Sequence, residues 1–239
     1  MFKKNQNIID FIFINEYYKN VIDTLPAPAT KYVPDWWKKM EPYSDNKLKI
    51  QGKFSSATGK KCMPMLDSIT SGYIVPLWAD VLVLKNQNGH TLSWKTDEAV
   101  FGVHDSRQSD GVEGPEEYAV PAYKYHNPWV IRTNPGWSCL ITAPNGYHNL
   151  PFKIIPGIVD TDVYPQEINP VFWIKKDFEG IIEKGTPMYQ VIPIKREKWE
   201  MKISSYEKNE QHYYNQEKNM STTIVNNYIK NIWQKKEYK

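Results

Sequence analysis

At 239 residues and 28.0 kDa the chain has the length of one large domain, or of one domain with appendages, and 41% hydrophobic content is enough for a core. A mean hydropathy of -0.61 points to a water-soluble protein, and no run approaches the ~18 consecutive apolar residues of a membrane helix. The net charge of +3 is carried almost wholly by Lys. Arg appears only at Arg107, Arg132 and Arg196, so outside the Lys-bearing C-terminal tail there is no basic stripe of the kind a nucleic-acid binder shows.

In chain order, the start MFKKNQNIIDFIFINEYY lacks a long apolar region and a cleavage site, and residues 8–14 read as an intracellular N-terminal strand. LPAPATKYVP is an extended linker, because its prolines disfavour helix. Pro34 then opens a short helix, PDWWKKM, whose Trp36 and Trp37 cap the core edge. Residues 41–61 read as a polar surface loop, and CMPMLDSITSG as one or two helical turns stopped by Gly72. Asn86 to Gly89 is a hairpin turn between YIVPLWADVLVLK and HTLSWKT; Val81 and Val83 alternate with Leu82 and Leu84, so that strand is expected to be buried on both faces. AVFGV is a short strand, and Asp105 to Glu117 a mobile loop.

Strands are expected next at about 128–132, 137–143, 152–159, 168–174 and 187–194, separated by Pro, Gly and Asn turns. That spacing predicts a mainly β fold, a sandwich or a β-clip-like barrel with short helices. Trp137, Leu140, Ile158, Phe172, Ile182 and Val191 are its expected core. Residues 1–204 form the predicted β domain. Residues 205–239 form a helical extension, capped by Ser221, with Val225, Tyr228, Ile229, Ile232 and Trp233 on one face. Such a helix either docks on its own domain or packs against a neighbouring subunit, as in a homo-oligomer, or against another partner.

The candidate chemistry centres on Asp160 and Asp162, two apart at a strand end, where alternation points both to one side. Such a pair can raise one another's pKa or hold a divalent cation; equally, Asp is a common turn residue. Asp160, Asp162 and His126 are the candidate catalytic residues, and Arg132, Tyr164 and Trp137 the candidate ligand-binding set. An Arg or His beside the pair would orient it. No metal ligand is assigned: His104 abuts Asp105 without the spacing of a facial triad, although a metal-dependent enzyme stays an alternative. Cys62 and Cys139 are too few for a metal cluster and are expected to be reduced and buried. Ser138 lacks a nucleophile elbow, and no phosphate-binding Gly loop occurs. Nothing in the chain points to a particular cofactor.

Two stretches resemble known families. PGIVDTDVY followed by IIEKGTPMYQVIPI resembles the third motif of the dUTPase and dCTP-deaminase superfamily. That likeness implies a β-clip homotrimer in which Asp160 orients the attacking water and Tyr164, displaced by Val163, packs under the sugar. The family's second motif is reduced here to Ser138 and Leu140, and its Gly-rich arm is missing. More broadly, HNPWVIRTNPGWSCLITAPNG, GIVDTDV, KGTPMYQVIPIKRE and the upstream PDWWKKM and KKCMPMLDSITSGY resemble an uncharacterised family of tailed phages and bacteria, over residues 26–200. This likeness implies a β fold and a phage origin, hence the host cytoplasm or the virion. The resulting expectation is a phage-encoded accessory protein that binds a phage or host protein or a small molecule, with a dUTPase-like enzyme as the alternative.

Overall fold

Apolar residues at every second position make strands, and most strands of this chain are short because Pro and Gly interrupt that alternation. The computed structural model describes residues 7–50, 53–87, 89–109, 112, 114–119, 122–203 and 228–239. In chain order the strands are β1 (Ile9–Phe13), β2 (Ala27–Pro28), β3 (Tyr43–Ile50), β4 (Lys53–Ala57), β5 (Tyr73–Pro76), β6 (Val81–Asn86), β7 (Gly89–Ser93), β8 (Phe101–Val103), β9 (Tyr123–Tyr125), β10 (Trp129–Thr133), β11 (Trp137–Thr142), β12 (Phe152–Ile154), β13 (Gly157–Val159), β14 (Val171–Ile174), β15 (Gly180–Ile182) and β16 (Pro187–Lys195). The helices are short: α1 (Glu16–Val21), α2 (Asp35–Lys39), α3 (Met63–Thr70) and α4 (Ser106–Ser109). Among the described residues no helix is long and apolar enough to cross a membrane.

The pairing is antiparallel throughout. A five-stranded sheet runs β13-β11-β16-β5-β2, a four-stranded sheet β12-β14-β9-β8 and a three-stranded sheet β15-β6-β7, with two-stranded pairs β1-β10 and β3-β4. The fold is therefore mainly β and sandwich-like, without closure into a barrel among the described strands. Four of these sheets feed one core: Cys139, Tyr189 and Val191 from the first, Phe101, Tyr125 and Phe172 from the second, Val81, Val83 and Ile182 from the third, and Trp129 and Ile131 from β10. Tyr125 and Tyr189 meet across it with ring centroids 6.2 Å apart. Gln190 is fully buried in this frame, yet its polar atoms are matched. Its amide donates to the carbonyls of Ser68 and Ser71 and its oxygen accepts from the Asn145 backbone, which ties α3 and a turn to β16.

Several expectations change. Residues 41–61 include the β3–β4 hairpin, and Ser106–Ser109 make a short helix within the predicted loop. The strand expected over 152–159 is two strands, because Pro156 lacks the N–H a continuous ladder needs. β13 is then an edge strand, which leaves Ile158 65% exposed, and Trp137 and Leu140 are only half-buried. β6 buries one face, not two: Val81 and Val83 point inward, while Leu82 and Leu84 stand exposed. Cys62 is exposed and only Cys139 is buried. Of the predicted C-terminal helix, Ser221 and Val225 lie outside the described residues. Its described part is a single turn at Tyr228–Ile232 and then a non-helical tail. That tail is held to the β domain: the Trp233 indole N–H and the Lys236 ammonium both donate to Asp67, and Tyr238 packs edge-on against Tyr73.

Candidate functional site

Three chain segments meet around the two predicted carboxylates: the turn before β11, the turn after β13 and the outgoing end of β16. Hydrogen bonds of 3.0 and 2.8 Å from the N–H groups of Val163 and Tyr164 to the Asp160 carbonyl fold the second turn. The N–H of Arg196 reaches the Gly136 carbonyl at 2.8 Å, which places the guanidinium over that turn. Asp162 accepts from the Gly136 N–H at 2.8 Å and from both terminal nitrogens of Arg196. The same guanidinium donates to the Trp137 carbonyl and to Ser138 Oγ, and lies 3.3 Å from Asp160. Ser138 in turn donates to Asp160 at 2.6 Å. Between the two acids, Thr161 is fully buried; its hydroxyl bonds that of Thr133 at 2.8 Å and donates to Cys139 Sγ at 3.4 Å.

The two acids thus have different surroundings. The Asp162 side chain is 6% exposed, that of Asp160 58%. The Arg196 bonds, then the Gly136 N–H, pull the Asp162 pKa from its ordinary 3.8 down to about 2, and the pairing pushes that of Arg196 up. Both acids lie in the turn beyond β13 and not on the strand itself, and Arg196 bridges them there. The expected partners are elsewhere. Arg132 lies in β10 opposite Asp10 of β1. His126 lies between β9 and β10, its N–H bonded to Val100 and its ring against Gly102; burial pulls its pKa down. Neither bonds Asp160 or Asp162. Tyr164 is exposed on the turn. Arg196 itself carries a sequence signal: an Arg in a Lys-rich chain, at the end of a long strand, marks a place where a planar fork is needed.

This arrangement is a clasp, with the Asp162 carboxylate fully engaged and ionised. The native-state pKa lies below the unfolded one, so the stabilisation is complete above pH ~4 and is lost as pH falls towards 2. Asp162→Asn is therefore expected to lower the melting temperature at neutral pH, with the gap to the native chain closing between pH 4 and 2. A gap independent of pH would overturn the assignment.

Elsewhere the described residues form surface cavities and an exposed apolar arm. Trp137 lines a cavity of about 320 Å³ beside the clasp, together with Tyr73, Asn134 and the tail residues Lys236 and Tyr238. A cavity of about 420 Å³ opens on the outer face of the three-stranded sheet, lined by Leu82, Trp94 and Ile181 with Asp80, Lys95 and Lys184 on its walls. Past Arg196 the chain leaves β16 as a non-helical arm in which Trp199, Met201 and Ile203 are 88%, 86% and 87% exposed. No group of three or more His, Cys, Asp or Glu able to hold a metal occurs among the described residues. Comparison with protein-family models, curated proteins and solved structures finds no match.

Proposed function

We propose that this chain is a phage-encoded accessory protein that works by binding a protein partner through the arm at residues 197–203. The observation that carries this reading is the arm's pattern. Trp199, Met201 and Ile203 alternate with Lys198, Glu200 and Lys202, so in extended form it has one apolar and one charged face. Single exposed apolar residues are ordinary on a protein surface; a Trp, a Met and an Ile in alternation, each almost wholly in water, are the anatomy of an interaction surface. The clasp supports the same reading, since it spends Asp162 and Arg196 on fixing the point from which the arm departs. The phage origin and the intracellular setting rest on the resemblance over residues 26–200.

The test is a photo-crosslinking amino acid in place of Trp199 in the full chain, irradiated in the producing cell. Discrete adducts are expected, and they should disappear when Met201 and Ile203 are both changed to Ser. A featureless smear, no adduct at all, or adducts indifferent to those two changes would overturn the reading.

A further inference from the structure

The edge strand β15 carries a pattern that answers the arm's. β15 pairs with β6 on one side and ends the three-stranded sheet on the other, so among the described strands one row of its backbone groups is without a partner. Around it the chain reads Phe178-Glu179-Gly180-Ile181-Ile182-Glu183. Glu179, Ile181 and Glu183 point outward, while Phe178, Gly180 and Ile182 are half-buried or buried. The two glutamates are four residues apart, as are Lys198 and Lys202 of the arm.

We propose that the arm of one copy of this chain adds as a fourth strand to the free edge of β15 in a second copy. The inference rests on the binding reading above and names its partner. One antiparallel register satisfies both faces together. Lys198 stands opposite Glu183 and Lys202 opposite Glu179, which pairs opposite charges across the strands. Glu200 then comes over Ile181, at the rim of the cavity where Lys95 and Lys184 stand. On the other face Trp199 meets Ile182, Ile203 meets the Phe178 ring, and Met201 meets Gly180. At Gly180 there is room for it, since a Cβ built there would find only the Phe178 ring, at 3.7 Å and beyond. Shifting the register by one residue would lay the lysines over Ile182 and Phe178, or over Lys184 and Gly180, and lose both charge pairs. Main-chain bonds supply affinity in such strand addition, and alternate side chains supply the choice of edge. Arm and edge are different surfaces, so the contact closes either by reciprocal exchange between two copies or as a ring.

The experiment uses the purified full chain. Light scattering after size exclusion should give a mass that rises above 28.0 kDa with concentration. Lys198→Glu with Lys202→Glu should weaken association about tenfold or more, as like charges meet across the interface. Glu179→Lys with Glu183→Lys should do the same, and mixing the two double variants should restore association. Melting temperatures of both variants verify that they are folded. Independently, in a Cys62→Ser background, a Lys198→Cys chain mixed with a Glu183→Cys chain should form a disulfide-linked pair on oxidation, because opposed residues in an antiparallel pair lie ~4.5–5.5 Å apart at Cα. A chain that stays at monomer mass at every concentration, a mixture that fails to restore association, or no mixed disulfide would overturn the proposal. If the purified chain is monomeric while position 199 still makes discrete adducts in cells, the partner is a different protein and the binding reading stands. If those adducts are also absent, both fall.

Discussion

Gly72→Ala is expected to destabilise the protein by about 2–5 kcal/mol. Gly72 sits where α3 gives way to β5, with φ +67, a left-handed conformation that costs a residue with a Cβ ~1–2 kcal/mol. A Cβ there would lie 2.0 Å from the Val191 carbonyl oxygen and 2.9 Å from its carbon. Those are backbone atoms of β16, the strand between β11 and β5, so relief means moving the middle of the five-stranded sheet. Overpacking of this kind adds ~1–3 kcal/mol. The Gly72 carbonyl also accepts the Ala29 N–H at 3.0 Å, so the displacement would reach the turn that leads into α2. Urea unfolding measures the loss; a midpoint unchanged within experimental scatter would show that β16 yields more freely than this packing implies.

Phe172→Ala is expected to cost ~3–5 kcal/mol. The ring has no exposed surface and sits at the centre of an aromatic cluster, with ring centroids of Phe101 at 4.7 Å, Phe152 at 5.9 Å and Tyr123 at 6.0 Å. These neighbours come from β8, β12 and β9, the other strands of its own sheet, which cannot all close on the void together. Phe172→Leu should recover most of the loss, since it keeps most of the volume. Trp137→Ala offers a contrast. The indole is half-buried beside a cavity, so its truncation should cost clearly less than that of Phe172. Equal losses in the two variants would place the core wrongly.

β1, β10, β11 and β16 and the Asn-Gly hairpin are legible in the sequence because each is a short apolar run bounded by turn residues, and that signal is local. Edge position is not. Ile158 reads as a core residue in GIVDTDV, but whether a strand is inner or outer depends on which distant strand lies beside it, and β13 has β11 on one side only. The same cause hides the outward face of β6, where Leu82 and Leu84 look like core residues until the sheet beside them is known. Residues 41–61 read as a loop because polar residues dominate them, and among the described strands β4 pairs only with β3. At the clasp, the acid pair is legible, and neither the turn that carries it nor its partner is. Arg132 is nearer in sequence, but it faces away in β10, whereas Arg196 arrives through the pairing of β11 with β16.

The position of β16 also sets an order on synthesis. β2 and β5 emerge early, and β11 and β13 come later, but the strand that joins these two halves of the sheet is made last. Between Pro76 and Pro187 a ribosome working at the usual rate spends roughly 5–20 s. For that time Ile74 and Val75, buried in the finished protein, have only the two-residue β2 beside β5 and lack the strand on its other side. The delay is expected to leave this apolar stretch open to association for longer than its length alone would suggest. A chain ended after Thr186 keeps every residue of β2, β5 and β11 and lacks the strand between them, and it is expected to aggregate rather than yield a smaller folded unit.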